Sequence, residues 1–196
     1  MHQGKLFLIV GPSGVGKGTL VNALRAKHPE FYFPPSATTR NPREGEAAGK
    51  QYLFFSEAEF EKLEKENGFL ETALIHQKEK YGTLRKPILE AIAAGKIVIR
   101  EVDIQGLISI QKCLEKALFS AIFISPPDKE TLRKRILHRQ PEMEAEELNR
   151  RLESADKEIA QKNLADFEVI SEDSEIAAMV AQVEGIIVGE TSQLKN

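Results

Sequence analysis

The sequence contains one cysteine, no tryptophan and four histidines among its 196 residues. A single thiol, Cys113, excludes an intrachain disulfide, which is typical of proteins from a reducing compartment. The chain has no apolar run near the ~18 residues that a membrane-spanning helix needs, and its first five residues lack the layout of a signal peptide. We therefore expect a soluble cytoplasmic protein without a membrane partner.

Neither sign of charge is in large excess, because the chain has 30 acidic residues and 27 Lys and Arg residues, which gives a net charge of −3. This balance gives no reason to expect a nucleic-acid partner. The histidines show no metal-ligand spacing, so we predict no direct metal site and no catalytic histidine. Internal repeats and linkers are also missing, and the length suffices for one core with small appended lobes. We predict a single domain over 1–196.

A glycine-rich segment follows directly on the apolar run Leu6–Val10 and precedes a segment of helical pattern. Glycines let backbone N–H groups turn toward one anion, and a helix that begins near Lys17 points its positive end at the same place. The spacing is that of a P-loop, G-x4-G-K, although Gly18 stands where a hydroxyl normally follows the lysine. We predict that a nucleoside triphosphate is bound by Gly11, Pro12, Ser13, Gly14, Val15, Gly16, Lys17, Gly18 and Thr19.

Three further apolar runs alternate with helical patterns, at Ile97–Ile99, Ala121–Ile124 and Phe167–Ile170. Strands separated by helices predict an α/β fold, with a P-loop parallel sheet covered by helices on both faces. Ligands of such sheets bind at the carboxyl ends of the strands. Glu101 and Asp103 follow one of these strands and are therefore candidate site residues.

Two stretches interrupt the alternation. The segment 33–86 is polar and turn-rich, with a short strand at Tyr52–Phe55 and a capping box, Ser56–Glu59, that opens a helix. We predict an inserted lobe there, large enough for a second ligand. The segment 133–151 is densely charged, which alone favours a solvated helix face. In a P-loop protein it predicts a helical lid, because phosphoryl transfer needs mobile cations. The core would then comprise 1–32, 87–132 and 152–196.

The inserted segment carries several unusual strings. Residues 36–46 read SATTRNPREGE, and Tyr52, the GFLE string that ends at Glu71 and the YGT string at 81–83 follow. Together with the P-loop and the DIQG string at 103–106, they closely resemble the guanylate kinases of the soluble bacterial type. The resemblance extends from Leu6 to about Ile187, which is nearly the whole chain.

This resemblance implies transfer of the γ-phosphoryl group of ATP to GMP, and also to dGMP, with Mg²⁺ accompanying ATP. It implies that the GMP phosphate is held by Arg40, Arg43, Tyr52 and Tyr81. It also implies that guanine is read by Ser36, Glu71 and Thr83, with the carboxylate facing the N1 and N2 donors and the hydroxyls donating to O6.

The resemblance further implies a catalytic set of Lys17, Arg40, Arg139 and Arg151, in which the last two belong to the lid and neutralise the transferring phosphoryl group. Glu101 and Asp103 would orient waters of Mg²⁺ or face the guanine, and the division of these roles stays open. Asp103 is accordingly counted among the GMP-binding residues. A monomer and a homodimer are both compatible with the sequence.

Two alternative functions are weighed against this one. An inactive guanylate-kinase-like module that binds peptides typically loses the P-loop lysine and the phosphate arginines, whereas Lys17, Arg40 and Arg43 are present. A sugar-phosphate kinase on the same fold would not need the guanine-reading set. The chain departs from the family pattern in the turn 77–80, in a longer lid and in the string Ser171–Asp173.

Overall fold

The computed structural model describes residues 4–43, 46, 49, 51–75, 78–172 and 176–193. Glu44 and Gly45 of the SATTRNPREGE string lie outside the described residues. The same holds for Gln77 in the divergent turn and for Asp173 in the divergent string near the C-terminus.

Strands and helices alternate along the described chain. The first half contains β1 (Lys5–Val10), α1 (Lys17–Lys27), β2 (Ser36–Thr38), β3 (Tyr52–Phe54), α2 (Glu57–Lys65), β4 (Phe69–Ile75), β5 (Glu79–Leu84) and α3 (Arg85–Ala93). The second half contains β6 (Ile97–Glu101), α4 (Ile104–Cys113), β7 (Phe119–Ser125), α5 (Lys129–Arg139), α6 (Ala145–Ile159), β8 (Phe167–Ile170) and α7 (Ile176–Gln193).

The core is a four-stranded parallel sheet in the order β6-β1-β7-β8. Every residue of β1 is buried, because the strand is central and both of its faces are covered. Phe7 and Ile9 pack against α1, α5, α6 and α7, whereas Leu6 and Leu8 pack against α3 and α4. The predicted α/β fold, with helices on both faces of a parallel sheet, is thus confirmed.

Residues 33–86 form a second, mixed sheet in the order β3-β2-β5-β4. The predicted capping box is present: Ser56 accepts a hydrogen bond from the Glu59 amide, and the Glu59 carboxylate accepts one from the Ser56 amide. Phe60 of α2 is fully buried and stacks on Phe69 of β4 with ring centroids 4.4 Å apart. This sheet therefore has a small hydrophobic core of its own.

The charged segment 133–151 contains the last turns of α5, a turn, and the first turns of α6. Asp128 caps α5 by accepting a hydrogen bond from the Thr131 amide. Leu132 and Ile136 anchor α5 in the main core, so the segment continues two core-packed helices. None of the helices in the described part of the chain has both the length and the apolar character needed to cross a bilayer.

We expect Phe60→Ala to destabilise the second sheet by about 3–5 kcal/mol, because it opens a cavity in a core of few residues. Hydrogen exchange should show loss of protection in β4 and β5 while β1 and β7 stay protected. Leu74→Ala is the matched control, since Leu74 lies on the same sheet and is 61% exposed. Equal loss of protection in both sheets would contradict an independent core.

Candidate active site

The P-loop connects β1 to α1 at the carboxyl edge of the core sheet. Gly11 has a φ of 143°, and a Cβ there would collide with the Ile124 carbonyl oxygen of β7. Gly16 has a φ of 104° and occupies the N-cap position of α1, where it offers no side chain to the helix amides. The amides of the first helical turn are therefore oriented for an external anion.

Lys17 is folded over the loop. Its Nζ donates to the carbonyl oxygens of Gly11 at 2.7 Å and Pro12 at 3.1 Å and lies 3.9 Å from Glu101 Oε1. Burial lowers the pKa of Lys17, and the nearby carboxylates of Glu101 and Glu158 oppose that shift. The ammonium is thus held at the base of the cradle, where phosphate oxygens can replace the carbonyls.

Two chambers of about 590 Å³ each meet at Lys17. The first, the P-loop chamber, is lined by Gly11, Ser13, Gly14, Gly16 and Thr19 together with Arg135, Arg139 and Glu158. The second, the lobe chamber, is lined by Ser36, Tyr52, Glu71, Tyr81 and Arg100, among others. Their common wall consists of Lys17, Gly18, Asn22, Glu101 and Asp103. A group bound in one chamber can therefore face a group bound in the other.

Glu71 is the buried acceptor of the lobe chamber. Its Oε1 accepts a hydrogen bond from Thr83 Oγ1 at 2.5 Å and lies 3.7 Å from Arg100 Nη2. Burial raises the pKa of the Glu71 carboxyl, while Thr83 and Arg100 oppose the shift. The structure thus brings Glu71 and Thr83 together as predicted, but the Thr83 hydroxyl is buried and donates to Glu71.

Arg100 was not among the predicted site residues. Its Nε donates to Thr83 Oγ1 at 2.7 Å and its Nη1 donates to Ser36 Oγ at 2.8 Å. The signal that could have identified it is a charged residue directly after the apolar run Ile97–Ile99, near the carboxyl end of β6, where ligands of parallel sheets bind.

The predicted phosphate-binding residues are distributed between the lobe chamber and its surroundings. Tyr52 and Tyr81 line the chamber with ring centroids 6.1 Å apart. Arg40 is buried beneath Tyr52, with its guanidinium 5.0 Å from the ring centroid, and makes two hydrogen bonds to Glu46 at 2.9 and 3.0 Å. This pairing raises the pKa of Arg40 and lowers that of Glu46. Arg43 is exposed.

The two predicted lid arginines occupy different places. Arg139 lines the P-loop chamber. Arg151 donates to Glu147 at 2.8 Å and lines a separate pocket with the 140–144 turn. Arg135, which the sequence marked only as part of a charged run, donates to the Val15 and Ser171 carbonyls and so ties α5 to the P-loop. In this conformation the segment 133–151 brings one of the two predicted arginines, Arg139, to the P-loop chamber.

Glu158 was also missed by sequence reasoning. It lies on α6 seven residues after Arg151, and it lines the P-loop chamber. Within the described ranges its Oε2 is buried without a hydrogen-bond partner. Burial raises the pKa of Glu158 to about 7, against the opposing effect of Lys17.

The described residues include no group of three or more His, Cys, Asp or Glu side chains that could hold a metal ion directly. Glu101 and Asp103 nevertheless place carboxylates on the wall between the chambers. Asp103 uses Oδ1 to cap α4 through the Gly106 amide. Carboxylate oxygens suit Mg²⁺, which keeps several of its waters, so this pair fits a metal held through water beside the P-loop.

A P-loop whose lysine also lines a second chamber with a buried carboxylate and two tyrosines fits a nucleoside monophosphate kinase. The sequence matches the family model described as Guanylate kinase over residues 3–190. The chain therefore belongs to the guanylate kinase family.

Individual relatives agree with the family match. The chain is 44% identical to a guanylate kinase of Bifidobacterium longum, over 90% of this chain and 91% of that protein. It is 42% identical to a guanylate kinase of Trichormus variabilis, over 92% of this chain and 89% of that protein. The crystal structure of guanylate kinase from Anaplasma phagocytophilum superposes with a TM-score of 0.74 at 26% identity, covering 97% of this chain and 87% of that one. These matches do not favour the peptide-binding or sugar-phosphate alternatives.

The raised pKa of Glu158 predicts a pH-dependent cost to stability. An acid whose pKa is higher in the folded than in the unfolded chain stabilises the fold fully below about pH 4.5, and that stabilisation is lost as pH rises through about 7. Glu158→Gln should therefore raise the unfolding temperature relative to the parent at pH 8, and by much less at pH 5. Calorimetry on the ligand-free protein measures this difference.

Glu153→Gln, an exposed substitution on the same helix, controls for the change in helix propensity. If the difference in unfolding temperature between Glu158→Gln and the parent is the same at pH 5 and pH 8, the raised pKa of Glu158 is contradicted.

Proposed function

We propose that this chain is a guanylate kinase that transfers the γ-phosphoryl group of ATP to GMP, and also to dGMP, giving ADP and GDP. The observation that carries the proposal is the meeting of two chambers at Lys17, one a phosphate cradle and the other built around the buried Glu71. The proposal includes a cytoplasmic location, small-molecule substrates with no nucleic-acid or membrane partner, and a monomer or homodimer.

The P-loop chamber takes the triphosphate of ATP. Backbone N–H groups of residues 13–19 donate to its oxygens, and Lys17 exchanges the Gly11 and Pro12 carbonyls for the β- and γ-phosphates. Because the ammonium is already buried, its desolvation is complete before the substrate arrives, and its charge acts in a medium of low dielectric constant. Mg²⁺ bound with ATP would further neutralise the phosphates, and Glu101 and Asp103 are the residues that would hold it through water.

The lobe chamber takes GMP. Glu71 accepts from guanine N1–H and N2–H, and Ser36 donates to O6, while Thr83 keeps the Glu71 carboxylate in place. Asp103 faces the same base from the shared wall. Adenine presents a lone pair at N1, which the Glu71 carboxylate repels, so the same residue that binds guanine also rejects adenine.

The GMP phosphate lies against Tyr52 and Tyr81, with Arg40 and Arg43 supplying charge. Arg40 is neutralised by Glu46 in this structure, so a phosphate dianion must draw the guanidinium away from that carboxylate or share it. Closure of the 133–151 segment then adds Arg139 and Arg151 around the transferring group, and Arg151 must leave Glu147 to take part.

Substrate choice is the direct test of this function. ADP release should be measured with ATP and Mg²⁺ across GMP, dGMP, AMP, UMP and ribose 5-phosphate. We expect turnover with GMP and dGMP well above the other three acceptors. Release that is highest with ribose 5-phosphate would support a sugar-phosphate kinase instead, and no release with any acceptor would support an inactive module.

Lys17→Ala should lower turnover by on the order of a thousandfold or more, because it removes the positive charge from the phosphates whose charge shifts in the transition state. GMP binding, measured by calorimetry, should be retained because the acceptor is held by the second sheet. Lys86→Ala, 85% exposed on α3, is the control. Near-normal turnover of Lys17→Ala would contradict the role of the cradle.

Glu71→Gln should cost about 2–4 kcal/mol in kcat/KM for GMP, since it removes charge-assisted hydrogen bonds and turns an amide N–H toward a guanine N–H. The same variant should lower the ratio of kcat/KM for GMP to kcat/KM for AMP, because the repulsion of adenine N1 is relieved. Arg43→Ala, by contrast, should weaken all monophosphates without changing their order. Steady-state kinetics on both variants decides whether Glu71 reads the base, and an unchanged GMP/AMP ratio would show that it does not.

A further inference from the structure

Arg100 is a buried cation at the carboxyl end of a strand of the core sheet. It lies on β6 directly after the buried pair Val98 and Ile99, and its side chain is 12% exposed. Burial lowers the pKa of its guanidinium, and Glu71 is the main group that opposes this. A guanidinium stays charged in proteins, so this position pays a desolvation cost that an aliphatic residue would avoid.

The guanidinium joins the core sheet to three strands of the second sheet. It donates to Ser36 on β2 and Thr83 on β5, and it lies 3.7 Å from Glu71 on β4. These are the three residues that the family resemblance implies for guanine recognition. Arg100 is therefore the one side chain, among the described residues, that touches the whole set.

These contacts fix where the hydroxyl protons point. Thr83 Oγ1 accepts from Arg100 and donates to Glu71, so its only proton is used inside the protein. Ser36 Oγ accepts from Arg100, and its own proton stays available for a ligand. A guanidinium has five N–H donors, of which these two hydrogen bonds use two. The other three N–H groups are one on Nη1 and two on Nη2, and Nη2 lies 3.7 Å from Glu71 Oε1. Arg100 lines the lobe chamber.

Guanine offers the acceptors that match such a wall. Its O6 and N7 lie side by side and accept two parallel N–H donors from one arginine, which is the commonest specific contact between arginine and guanine. Adenine has the same N7 but a donor amine at position 6, which would face a guanidinium N–H. With Glu71 on the N1 and N2 donors, an arginine on O6 and N7 would complete the recognition of the base.

We propose that Arg100 is a specificity residue of the lobe chamber that donates to O6 and N7 of guanine while it holds Ser36, Thr83 and Glu71 in their reading positions. This assignment rests on the proposed function, because it requires GMP in the lobe chamber. It adds a cation from the core sheet to the set of residues that the sequence marked as base-reading.

The experiment compares GMP with 7-deaza-GMP, which lacks the N7 acceptor, and with AMP. The parent protein should use GMP about tenfold better than 7-deaza-GMP in kcat/KM, as expected for the loss of one charge-assisted hydrogen bond. Arg100→Met should lower kcat/KM for GMP by on the order of a hundredfold and abolish the preference for GMP over 7-deaza-GMP. It should also lower the ratio of kcat/KM for GMP to kcat/KM for AMP. Arg100→Lys, which keeps the charge but not the fork, should retain part of the preference.

Arg85→Met is the matched control. Arg85 also donates to partners near the second sheet, but these are the backbone carbonyls of Asn67, Phe69 and Cys113. Its removal should change the unfolding temperature without changing the ratio of kcat/KM for GMP to kcat/KM for 7-deaza-GMP. If Arg100→Met lowers kcat/KM for both nucleotides equally and keeps their ratio, the residue only supports its neighbours and the proposal is overturned.

Measurements on the parent protein alone distinguish a failure of the proposed function from a failure of the role assigned to Arg100. Absence of turnover with GMP overturns the proposed function and this assignment with it. Turnover with GMP that shows no preference over 7-deaza-GMP overturns the role of Arg100 and leaves the kinase intact. This comparison needs no substitution, so it holds even if Arg100→Met fails to fold.

Discussion

The parallel pairing of β1 with β6 and β7 is the constraint on which the site depends. Its register sets Ile9 beside Glu101 and Val10 beside Phe123, so the strands end at one edge of the sheet. The P-loop, the Glu101–Asp103 turn and Ser171 after β8 therefore converge although they are far apart in the chain. The four strands of this core sheet run in one direction, so the loops at this edge follow the carboxyl ends of its strands and border the same cleft.

Three of the four residues predicted to be catalytic, Lys17, Arg40 and Arg151, have partners within the protein in this structure. Lys17 donates to loop carbonyls, Arg40 to Glu46, and Arg151 to Glu147. Substrate binding in such a site exchanges one set of partners for another, so the buried charges are compensated both before and after. Glu158 differs from these three, because among the described residues its Oε2 is the buried side-chain oxygen that has no hydrogen-bond partner. Its protonation below about pH 7 is the physical response to that burial.

Local features of the chain were predictable because neighbouring residues determine them. The strand at Leu6–Val10, the capping box at Ser56 and the helix cap at Asp128 each depend on residues within four positions. The mixed sheet of 33–86 was harder, since β2 and β3 have three residues each and no clear alternation. Their pairing depends on partners up to about 45 residues away, such as Ala37 with Gly82.

The sequence by itself determined the phosphate cradle, the alternating α/β order and the identity of the residues that resemble a guanine-reading set, because these are written in contiguous motifs. The tertiary structure alone decided that Arg100 joins Ser36, Thr83 and Glu71, and that Glu158 faces Lys17. It also decided that Arg151 is turned toward Glu147 and away from the P-loop chamber. The physical reason is that charge–charge and hydrogen-bond energies depend on distances in space. Within one helix or strand, the spacing of residues in the sequence sets these distances. Between helices and strands, only tertiary packing sets them.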